Sequence, residues 1–206
     1  MKEAADLLRR GIAELGISLT QKQVEGFTLY LSELRRWNRT YNLTGLKSDR
    51  DIIVKHFLDS LLFTKVFPVG IRTVADIGSG AGFPGVPIKI AMPHVKVFLI
   101  EPTKKKAVFL AHIRDKLGIA DLEIIAKRIE DIDGLNVDVC VTRALFTLGD
   151  FIRKTRAVVN KNGLLILNKG PKLSEELRGL DRGNITVSDF RLPLEDVVRH
   201  LVVVRT

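Results

Sequence analysis

The sequence has very little cysteine, since Cys140 is the only one among 206 residues. A single thiol can form neither an internal disulfide nor a cysteine zinc cluster, so disulfide-stapled domains and zinc fingers are excluded. Cys140 lies in an apolar run, residues 137–141, and we expect it to be a buried strand residue. We expect no metal cofactor.

Long uncharged segments are missing too. No run approaches the roughly 20 apolar residues of a membrane-spanning helix. The first fifteen residues carry six charged side chains, whereas a secretory signal would have an apolar core. We therefore expect a cytoplasmic protein with no membrane partner.

The signatures G-x-S-x-G, H-E-x-x-H and the P-loop lysine are also missing, which leaves hydrolase, zinc-enzyme and NTPase functions without support.

Basic residues are in excess, and the formal net charge is +9. A charge of this size favours an anionic partner, nucleic acid first, although a basic face that only aids solubility is the alternative. The charge is concentrated in Lys104–Lys106 and in the acid-free segment 151–174. The basic residues of that segment are Arg153, Lys154, Arg156, Lys161, Lys169 and Lys172.

The first 70 residues predict helices only. Apolar residues recur at helical spacing over residues 2–15. Thr20 is a suitable N-cap for a second, longer helix. Ser48, in a sequence that resembles a capping box, opens a third helix that ends near Val66. We expect residues 1–70 to form a helical extension packed on the core.

From residue 71 onward, short β-branched runs alternate with helical segments. Such alternation is typical of βαβ units, in which helices cover both faces of a parallel sheet. Only a few turn residues separate the last two runs, so we expect them to form an antiparallel pair. The predicted strands are 72–77, 95–101, 122–126, 137–142, 164–168, 185–191 and 197–205. The predicted helices are 86–92, 104–117 and 148–159. Residues 71–206 are expected to form one compact α/β domain, with a Rossmann-like, seven-stranded, mostly parallel sheet whose last strand is antiparallel.

The most informative segment is 74–85, where an apolar run reaches Asp76 and four glycines and a proline follow. This pattern predicts a strand, a tight turn and a helix, because glycine lets the backbone bend sharply and approach a ligand. We expect the helix to present free N–H groups to a nucleotide-like cofactor bound at the end of a parallel strand.

Two cofactors fit this layout. Gly80–Gly85 is a literal G-x-G-x-x-G, the dinucleotide fingerprint. Gly78-Ser-Gly80-Ala-Gly82, directly after Asp76, has instead the form of motif I in S-adenosylmethionine-dependent methyltransferases. Asp76 favours S-adenosylmethionine, because the negative charge of a carboxylate would repel the phosphates of NAD. A third interpretation is that the turn binds no cofactor and only connects a strand to a helix. Phe83 packs either on the cofactor or in the core. The candidate cofactor contacts here are Gly78, Ser79, Gly80, Gly82 and Phe83.

Further candidates follow the later strands. Glu101 ends the second strand, where a carboxylate can accept hydrogen bonds from both ribose hydroxyls of either cofactor. Ile129 and Glu130, after the third strand, are candidates for the adenine edge through a backbone N–H or an acidic side chain. Arg143 and Lys169 end the fourth and fifth strands beside the expected crevice, where their charges suit a phosphate or a base.

His56 and Asp59 lie three residues apart on one face of the third predicted helix. This spacing is compatible with a general-base pair and with a hydrogen-bonded pair that only docks the helix. We favour the structural interpretation.

Taken together, these residues closely resemble the bacterial 16S ribosomal RNA methyltransferase G family, also called glucose-inhibited division protein B. The resemblance covers nearly the whole chain. Its motifs are Trp37-Asn38, Tyr41–Thr44, His56–Leu61, Asp76–Gly85, Lys105-Lys106 with Phe109-Leu110, Arg128–Glu130, Arg143-Ala144 and Lys169-Gly170.

The resemblance implies methyl transfer from S-adenosylmethionine to N7 of one guanine of 16S rRNA, guanine 527, near the decoding region. The implied partner is the small ribosomal subunit or an assembly intermediate, and we expect the enzyme to be a monomer. The family's cofactor positions fall on Gly78, Phe83, Ile129, Glu130 and Arg143. The candidates for positioning the target base are Arg143, Lys169, Asn42 and Arg128.

Guanine N7 carries an in-plane lone pair, so no proton needs to be removed before it attacks a methyl group. Alignment of the base is then the main task of the enzyme, and we expect no essential general base. The alternatives are a methyltransferase of another RNA or of a small molecule, an NAD-dependent oxidoreductase and a non-catalytic RNA-binding module.

Overall fold

The computed structural model describes residues 2–143, 145–170, 173–177 and 183–206. Ala144 of the family motif and Lys172 of the basic segment lie outside the described residues. Within the described ranges, no helix combines the length and the apolar character needed to cross a bilayer.

Residues 2–66 are helical apart from two connecting segments. α1 (Lys2–Glu14) and α2 (Gln21–Tyr41) agree with the predicted helices. Thr20 caps α2 as predicted, and it does so through a capping box with Gln23, whose side chain accepts a hydrogen bond from the Thr20 N–H.

The third predicted helix is not one regular α-helix. Ser48 caps α3 (Asp49–Ile52), which continues as a π-helix (Ile53–Leu58), α4 (Asp59–Leu61) and a 3-10 helix (Leu62–Val66). Most side chains between residues 52 and 63 are buried, so the sequence shows no amphipathic period that would mark the change. π-Helical segments are rare, and those that occur often lie at functional sites. This one contains His56.

The second part of the chain forms the seven-stranded sheet that the sequence predicts. The strand order is β3-β2-β1-β4-β5-β7-β6, with β1 to β5 parallel and β7 antiparallel to both of its neighbours. The strands are β1 (Thr73–Ile77), β2 (Lys96–Ile100), β3 (Leu122–Ile125), β4 (Val137–Arg143), β5 (Val159–Lys169), β6 (Ile185–Arg191) and β7 (Val198–Arg205). The helices among them are α5 (Gly85–Ala91), α6 (Lys104–Leu117), α7 (Leu148–Thr155) and α8 (Leu173–Glu176).

One predicted boundary is wrong. α7 ends at Thr155, and β5 begins at Val159 instead of residue 164. Val159 pairs with Val137 of β4, so residues that continue the helical pattern along the chain are used as strand because a partner strand lies beside them. Tertiary pairing outweighs local pattern here.

Two clusters of buried side chains cover the two faces of the sheet. The larger one joins residues of α1, α2 and the π-helix, such as Leu8, Phe27 and Phe57, directly to residues of the sheet such as Ile166. The N-terminal helices therefore share a core with the sheet. The division of the chain at residue 70 stays a prediction.

The opposite cluster contains Cys140, which is fully buried as expected, and its burial raises the pKa of the thiol. The strand order reverses direction between β1 and β4. In open α/β sheets ligands bind outside the carboxyl ends of the strands at such a switch point, and that is where both the glycine-rich turn and Arg143 lie.

Candidate active site

The glycine-rich turn follows β1 and has a backbone that needs glycine. Gly78, Gly80 and Gly82 have φ angles of 74°, 61° and 103°, in the left-handed region that favours glycine. A Cβ on Gly82 would lie 2.7 Å from the hydroxyl oxygen of Tyr30. That hydroxyl donates to the carbonyl of Ala81, so α2 is bonded directly to the turn.

The N–H groups of the turn are used within the protein. Gly78 and Ser79 donate to the carbonyl of Ile100, at 2.8 and 3.1 Å. The N–H of Gly80 donates to Glu101 Oε2 at 2.8 Å. A pyrophosphate would need such donors for itself, so this arrangement disfavours the dinucleotide interpretation.

The N–H groups at the start of α5 are also used within the protein. The N–H of Gly85 donates to Asp76 Oδ2 at 2.9 Å, and the N–H groups of Val86 and Ile88 donate to backbone carbonyls of the turn. The expectation that this helix presents free N–H groups is therefore wrong, because a carboxylate and two carbonyls already accept from them.

Asp76 is fully buried and only partly satisfied. Its Oδ1 atom is buried without a hydrogen-bond partner among the described residues. Burial raises the pKa of Asp76 to about 7, and the hydrogen bond from Gly85 opposes that increase. A buried carboxylate with a free oxygen is suited to a cationic ligand. The residues present therefore fit the positively charged S-adenosylmethionine better than a phosphate.

Glu101 links the turn to the start of α6. Its two oxygens accept from the N–H groups of Gly80 and Thr103, both at 2.8 Å. A carboxylate can accept about four hydrogen bonds, so two lone pairs remain for ribose hydroxyls.

Leu145, exposed in the loop after β4, lies so close to Gly78 that a Cβ on Gly78 would clash with it. We did not identify Leu145 from the sequence, because a lone leucine in a loop carries no motif.

Phe83 lies between the turn and the cluster around Arg143. Its ring stacks on His56 with centroids 4.3 Å apart and on Tyr30 at 5.4 Å. The Arg143 guanidinium lies over the ring, 5.3 Å from its centroid. Phe83 is only 5% exposed, so most of its surface serves the core.

Arg143 is held from three sides. Its guanidinium donates to the carbonyl of Lys55 at 2.9 Å and to His56 Nδ1 at 2.7 Å, and it lies 3.4 Å from Asp59 Oδ2. No hydrogen bond joins His56 and Asp59 themselves within the part of the chain that the structure describes. The two side chains are instead connected through Arg143, which the sequence analysis treated separately.

The hydrogen bonds of His56 define its tautomer. An arginine can only donate, so Nδ1 accepts, and Nε2 carries the hydrogen that is donated to Thr44 Oγ1 at 2.7 Å. Burial, together with the charge of Arg143, lowers the pKa of His56 to about 3. The ring is neutral near pH 7 with both nitrogens occupied, which supports its structural interpretation.

Thr44 consequently has a free hydroxyl hydrogen. Its Oγ1 accepts from His56 Nε2 and, at 3.1 Å, from the N–H of Leu46. Both lone pairs are then in use, and the hydroxyl can only donate, toward the cleft that Thr44 lines.

Asp59 connects three elements of the fold. It accepts from Arg199 Nε at 2.6 Å and from Asn168 Nδ2 at 3.2 Å, in addition to its contact with Arg143. Asn168 and Arg199 were not predicted from the sequence. They lie 109 and 140 residues from Asp59 in the chain, and the one local signal was that Asn168 directly precedes Lys169.

These side chains line a cleft of about 450 Å³ at the carboxyl ends of β4 and β5. Six of the residues that line it are Thr44, His56, Asp59, Arg143, Asn168 and Arg199. Of the predicted base-positioning residues, Arg143 and Lys169 line this cleft. Asn42, the left-handed C-cap of α2, lines an adjoining cavity of about 600 Å³.

The remaining predicted residues lie elsewhere on the same edge of the sheet. Ile129 begins a 3-10 helix (Ile129–Asp131) and its side chain is buried in the second cluster. Glu130 is exposed and pairs with Lys154, whose hydrogen bond lowers the pKa of Glu130. Arg128 is exposed just before them. Their assigned roles stay predictions.

The basic segment is largely paired with acidic residues. Arg153 pairs with Asp150, Lys154 with Glu130, and Lys169 with Glu176 at 2.8 Å. The Lys169 ammonium also donates to the carbonyl of Phe146 at 2.5 Å. By contrast, Lys104 and Lys105 in the first turn of α6 are exposed, and neither forms an ion pair with another described residue.

Comparison with known proteins adds independent findings. A family model, GidB, described as rRNA small subunit methyltransferase G, matches residues 23–201. Proteins named ribosomal RNA small subunit methyltransferase G are similar over nearly the whole chain. One from Pelotomaculum thermopropionicum is 37% identical over 100% of this chain and 91% of its own. One from Thermoanaerobacter sp. (strain X514) is 35% identical, covering 98% and 90%, and one from Neisseria meningitidis serogroup B is 32% identical, covering 98% of both.

Two solved structures with the same fold are named as a methylase and a methyltransferase. A ribosomal protein L11 methylase from Lactobacillus delbrueckii subsp. bulgaricus gives a TM-score of 0.56 at 20% identity, covering 71% of this chain and 77% of its own. A SAM-dependent methyltransferase from Aquifex aeolicus gives 0.54 at 19%, covering 75% and 92%. At these identities the likeness bears on the fold alone.

Proposed function

The chain belongs to the rRNA small subunit methyltransferase G family, and from this premise we propose that it methylates N7 of a single guanine of 16S rRNA, guanine 527. S-adenosylmethionine is the methyl donor. The observation that carries the proposal is the half-satisfied, buried carboxylate of Asp76, which lies in the turn at the switch point beside a cleft that contains guanidinium groups.

The proposed cofactor site is the turn after β1 together with the ends of the next strands. Its residues are Gly78, Ser79, Gly80, Gly82, Phe83, Glu101, Ile129, Glu130 and Arg143. The remaining lone pairs of Glu101 give this site acceptors for hydroxyl groups. The buried charge of Asp76 favours a cationic ligand beside the turn. When bound there, S-adenosylmethionine supplies an electrophilic methyl group on a sulfonium.

The cleft is proposed to hold the target guanine. Arg143, Thr44 and Arg199 are donors with fixed positions, and donors of this kind suit the O6 edge of guanine or the adjoining phosphates. Positive charge develops on the purine during methyl transfer. Arg143 and Arg199 share the Asp59 carboxylate, which offsets part of their charge and lets them position the base with less repulsion.

No group of the cleft is required to remove a proton, because N7 attacks through a lone pair that it already has. His56 agrees with this, because its ring is neutral and both ring nitrogens are hydrogen-bonded. Arg128, Asn42 and Lys169 complete the proposed set of base-positioning residues. The substrate is proposed to be the small subunit or an assembly intermediate, in the cytoplasm, bound by a monomer.

Mapping of modified bases tests this proposal. The purified enzyme is incubated with S-adenosylmethionine and small ribosomal subunits that lack the modification, and 7-methylguanine is located in the RNA by cleavage and mass spectrometry. We expect one new site, guanine 527. Methylation at another position, or of no RNA at all, would contradict the proposal.

A further inference from the structure

Tyr41, the last residue of α2, presents its ring to solvent. It is 41% exposed, and it is the only aromatic side chain among the described residues that is classed as exposed. One face is supported by Trp37, whose ring centroid is 5.3 Å away. Trp37 is itself packed on Phe109 and His112 of α6. The ring of Tyr41 is therefore supported by Trp37, at an interplanar angle of 32°, and is still accessible to solvent.

A cavity at the end of α2 adjoins the proposed guanine cleft, and Asn42, the residue that directly follows Tyr41, lines it. It has a volume of about 600 Å³, and Asn38, Arg39, Asn42 and Lys47 line it. Thr44, Gly45 and Leu46 border both spaces. The two spaces therefore lie beside each other.

The cations around this cavity are available to a partner. Arg39 and Lys47 are exposed, and neither pairs with a carboxylate in the ranges that the structure covers. Their position contrasts with that of the basic segment 151–174, where three of the described cations are paired. Exposed cations in a cavity, with an exposed aromatic ring at the same end of α2, have the chemistry that binds single-stranded nucleic acid.

Two further exposed cations, at the beginning of α6, add positive charge near the end of α2. Glu33 bonds His112, and Trp37 stacks on Phe109, so α2 and α6 run antiparallel and the end of α2 lies toward the beginning of α6. The exposed Lys104 and Lys105 lie in that first turn of α6, where the helix dipole disfavours a cation. A polyanion at this end of the two helices would stabilise them there.

We propose that the end of α2 is a second RNA subsite, which rests on the proposed function and holds the nucleotide next to the target guanine. The base of that nucleotide stacks on the exposed ring of Tyr41. Arg39 and Lys47 bind phosphates of the strand as it passes from the cleft into the adjoining cavity. The nucleotides on the two sides of Thr44–Leu46 are thereby splayed apart, which presents the guanine edge to the cleft.

Tyr41→Ala and Tyr41→Phe test the stacking contact. Steady-state methyl transfer to small ribosomal subunits is measured for both variants and for the unaltered enzyme, together with S-adenosylmethionine affinity and Tm. We expect Tyr41→Ala to lower kcat/KM by about tenfold, the usual scale of one base–aromatic stack, with an unchanged cofactor affinity and Tm. Tyr41→Phe keeps the ring and should stay within about twofold.

The double variant Arg39→Ala/Lys47→Ala tests the phosphate contacts. The matched control is Arg10→Ala/Lys22→Ala, which removes two exposed cations of α1 and α2 far from the end of α2. Binding to the subunits is measured as a function of salt. We expect the slope of log K against log salt to fall by about two for the first pair, about one for each phosphate contact, and to stay unchanged for the control.

The outcomes separate the two proposals. If the unaltered enzyme methylates the guanine and Tyr41→Ala does so equally well, the subsite is wrong while the proposed function stands. The same conclusion follows if the two double variants lose the same salt slope. If the unaltered enzyme does not methylate the RNA, the proposed function fails and the subsite fails with it.

Discussion

Arg143 shows how much a single residue depends on its surroundings. The sequence places a cation at the end of β4, but only the fold gives it a histidine, a carboxylate and a carbonyl as partners. A guanidinium restrained in this way keeps its direction toward the cleft without losing further side-chain entropy when a base binds.

The first prediction concerns this residue. Arg143→Ala should reduce kcat/KM for methyl transfer by about a hundredfold or more, the scale expected when a fixed donor at the reacting base is lost. The free energy of unfolding should fall by only about 1–2 kcal/mol, since Asp59 keeps Arg199 and Asn168. Activity assays and thermal melts measure both; a loss of stability large enough to account for the lost activity would contradict the prediction.

Thr44 supplies a second test at this scale. Thr44→Val keeps the shape but removes the hydroxyl, which should lower kcat/KM roughly tenfold through the loss of one donor to the base and of the acceptor that orients His56. Thr44→Ser restores the hydroxyl and should recover most of the activity. Equal defects in the two variants would show that the hydroxyl is not used.

The carboxyl group of Asp76 predicts a pH dependence. Because burial raises its pKa to about 7, the folded protein binds a proton here more tightly than the unfolded chain. Its contribution to stability is therefore full below the ordinary pKa near 4 and is lost as the pH rises through about 7. A cationic ligand needs the ionised form, so S-adenosylmethionine affinity should increase between roughly pH 6 and pH 8.

Asp76→Asn is the matched variant for this effect. The amide carbonyl can still accept from Gly85, but it does not ionise, so both pH dependences should flatten over the same range. Calorimetric titration at several pH values measures the pH dependence of S-adenosylmethionine affinity. Thermal melts measure the pH dependence of stability. A variant that keeps the pH dependence of binding would assign it to another group.

At the scale of elements, Asp59 ties α4 to β4, β5 and β7 through three partners. Sequence periodicity cannot predict such a bond, because the partners lie in strands that only the sheet brings together. The π-helix before it has the same origin: its buried residues fit the space between α1 and the sheet, and no local sequence signal reports that space.

Asp59→Ala should lower the free energy of unfolding by about 3–5 kcal/mol, because it leaves two guanidinium groups without their shared buried carboxylate. Asp196→Ala is the control, since the Asp196–Arg191 pair is exposed and such pairs contribute about 0–1 kcal/mol. Denaturant titration compares the two. Similar costs for both would show that the Asp59 cluster does not hold these elements together.

At the scale of the whole molecule, the N-terminal helices and the sheet form one core. The cavity at the end of α2 is lined by N-terminal residues, and the proposed guanine cleft lies where these helices meet the sheet. Tyr30 and Phe83 illustrate this: one comes from α2, the other from the turn after β1, and they stack at 5.4 Å. The helical extension therefore shapes the site in addition to covering one face of the sheet.

Ligand specificity is tested on the whole protein by thermal shift. Saturating S-adenosylmethionine, at about a hundredfold over Kd, should add about 2.7 kcal/mol, which corresponds to a Tm increase of roughly 5–10 °C for a chain of this size. NAD should give no shift, because the donors of the glycine turn already bond to Glu101, Asp76 and carbonyls. A shift with NAD alone would reverse the assignment of the cofactor.

Residue patterns along the chain predict the order and type of the elements, the seven-stranded mixed sheet and the glycine turn, because these follow from short-range periodicity and from residues with special backbone conformations. These patterns also predict Arg143 and Glu101 singly, and His56 and Asp59 as a pair. The folded arrangement alone reveals how these side chains are connected, which tautomer His56 adopts, and that Asn168, Arg199 and Thr44 belong to the same cleft. Hydrogen bonds and burial depend on distances in space, and residues up to 140 positions apart acquire those distances only when the sheet and the helices pack together.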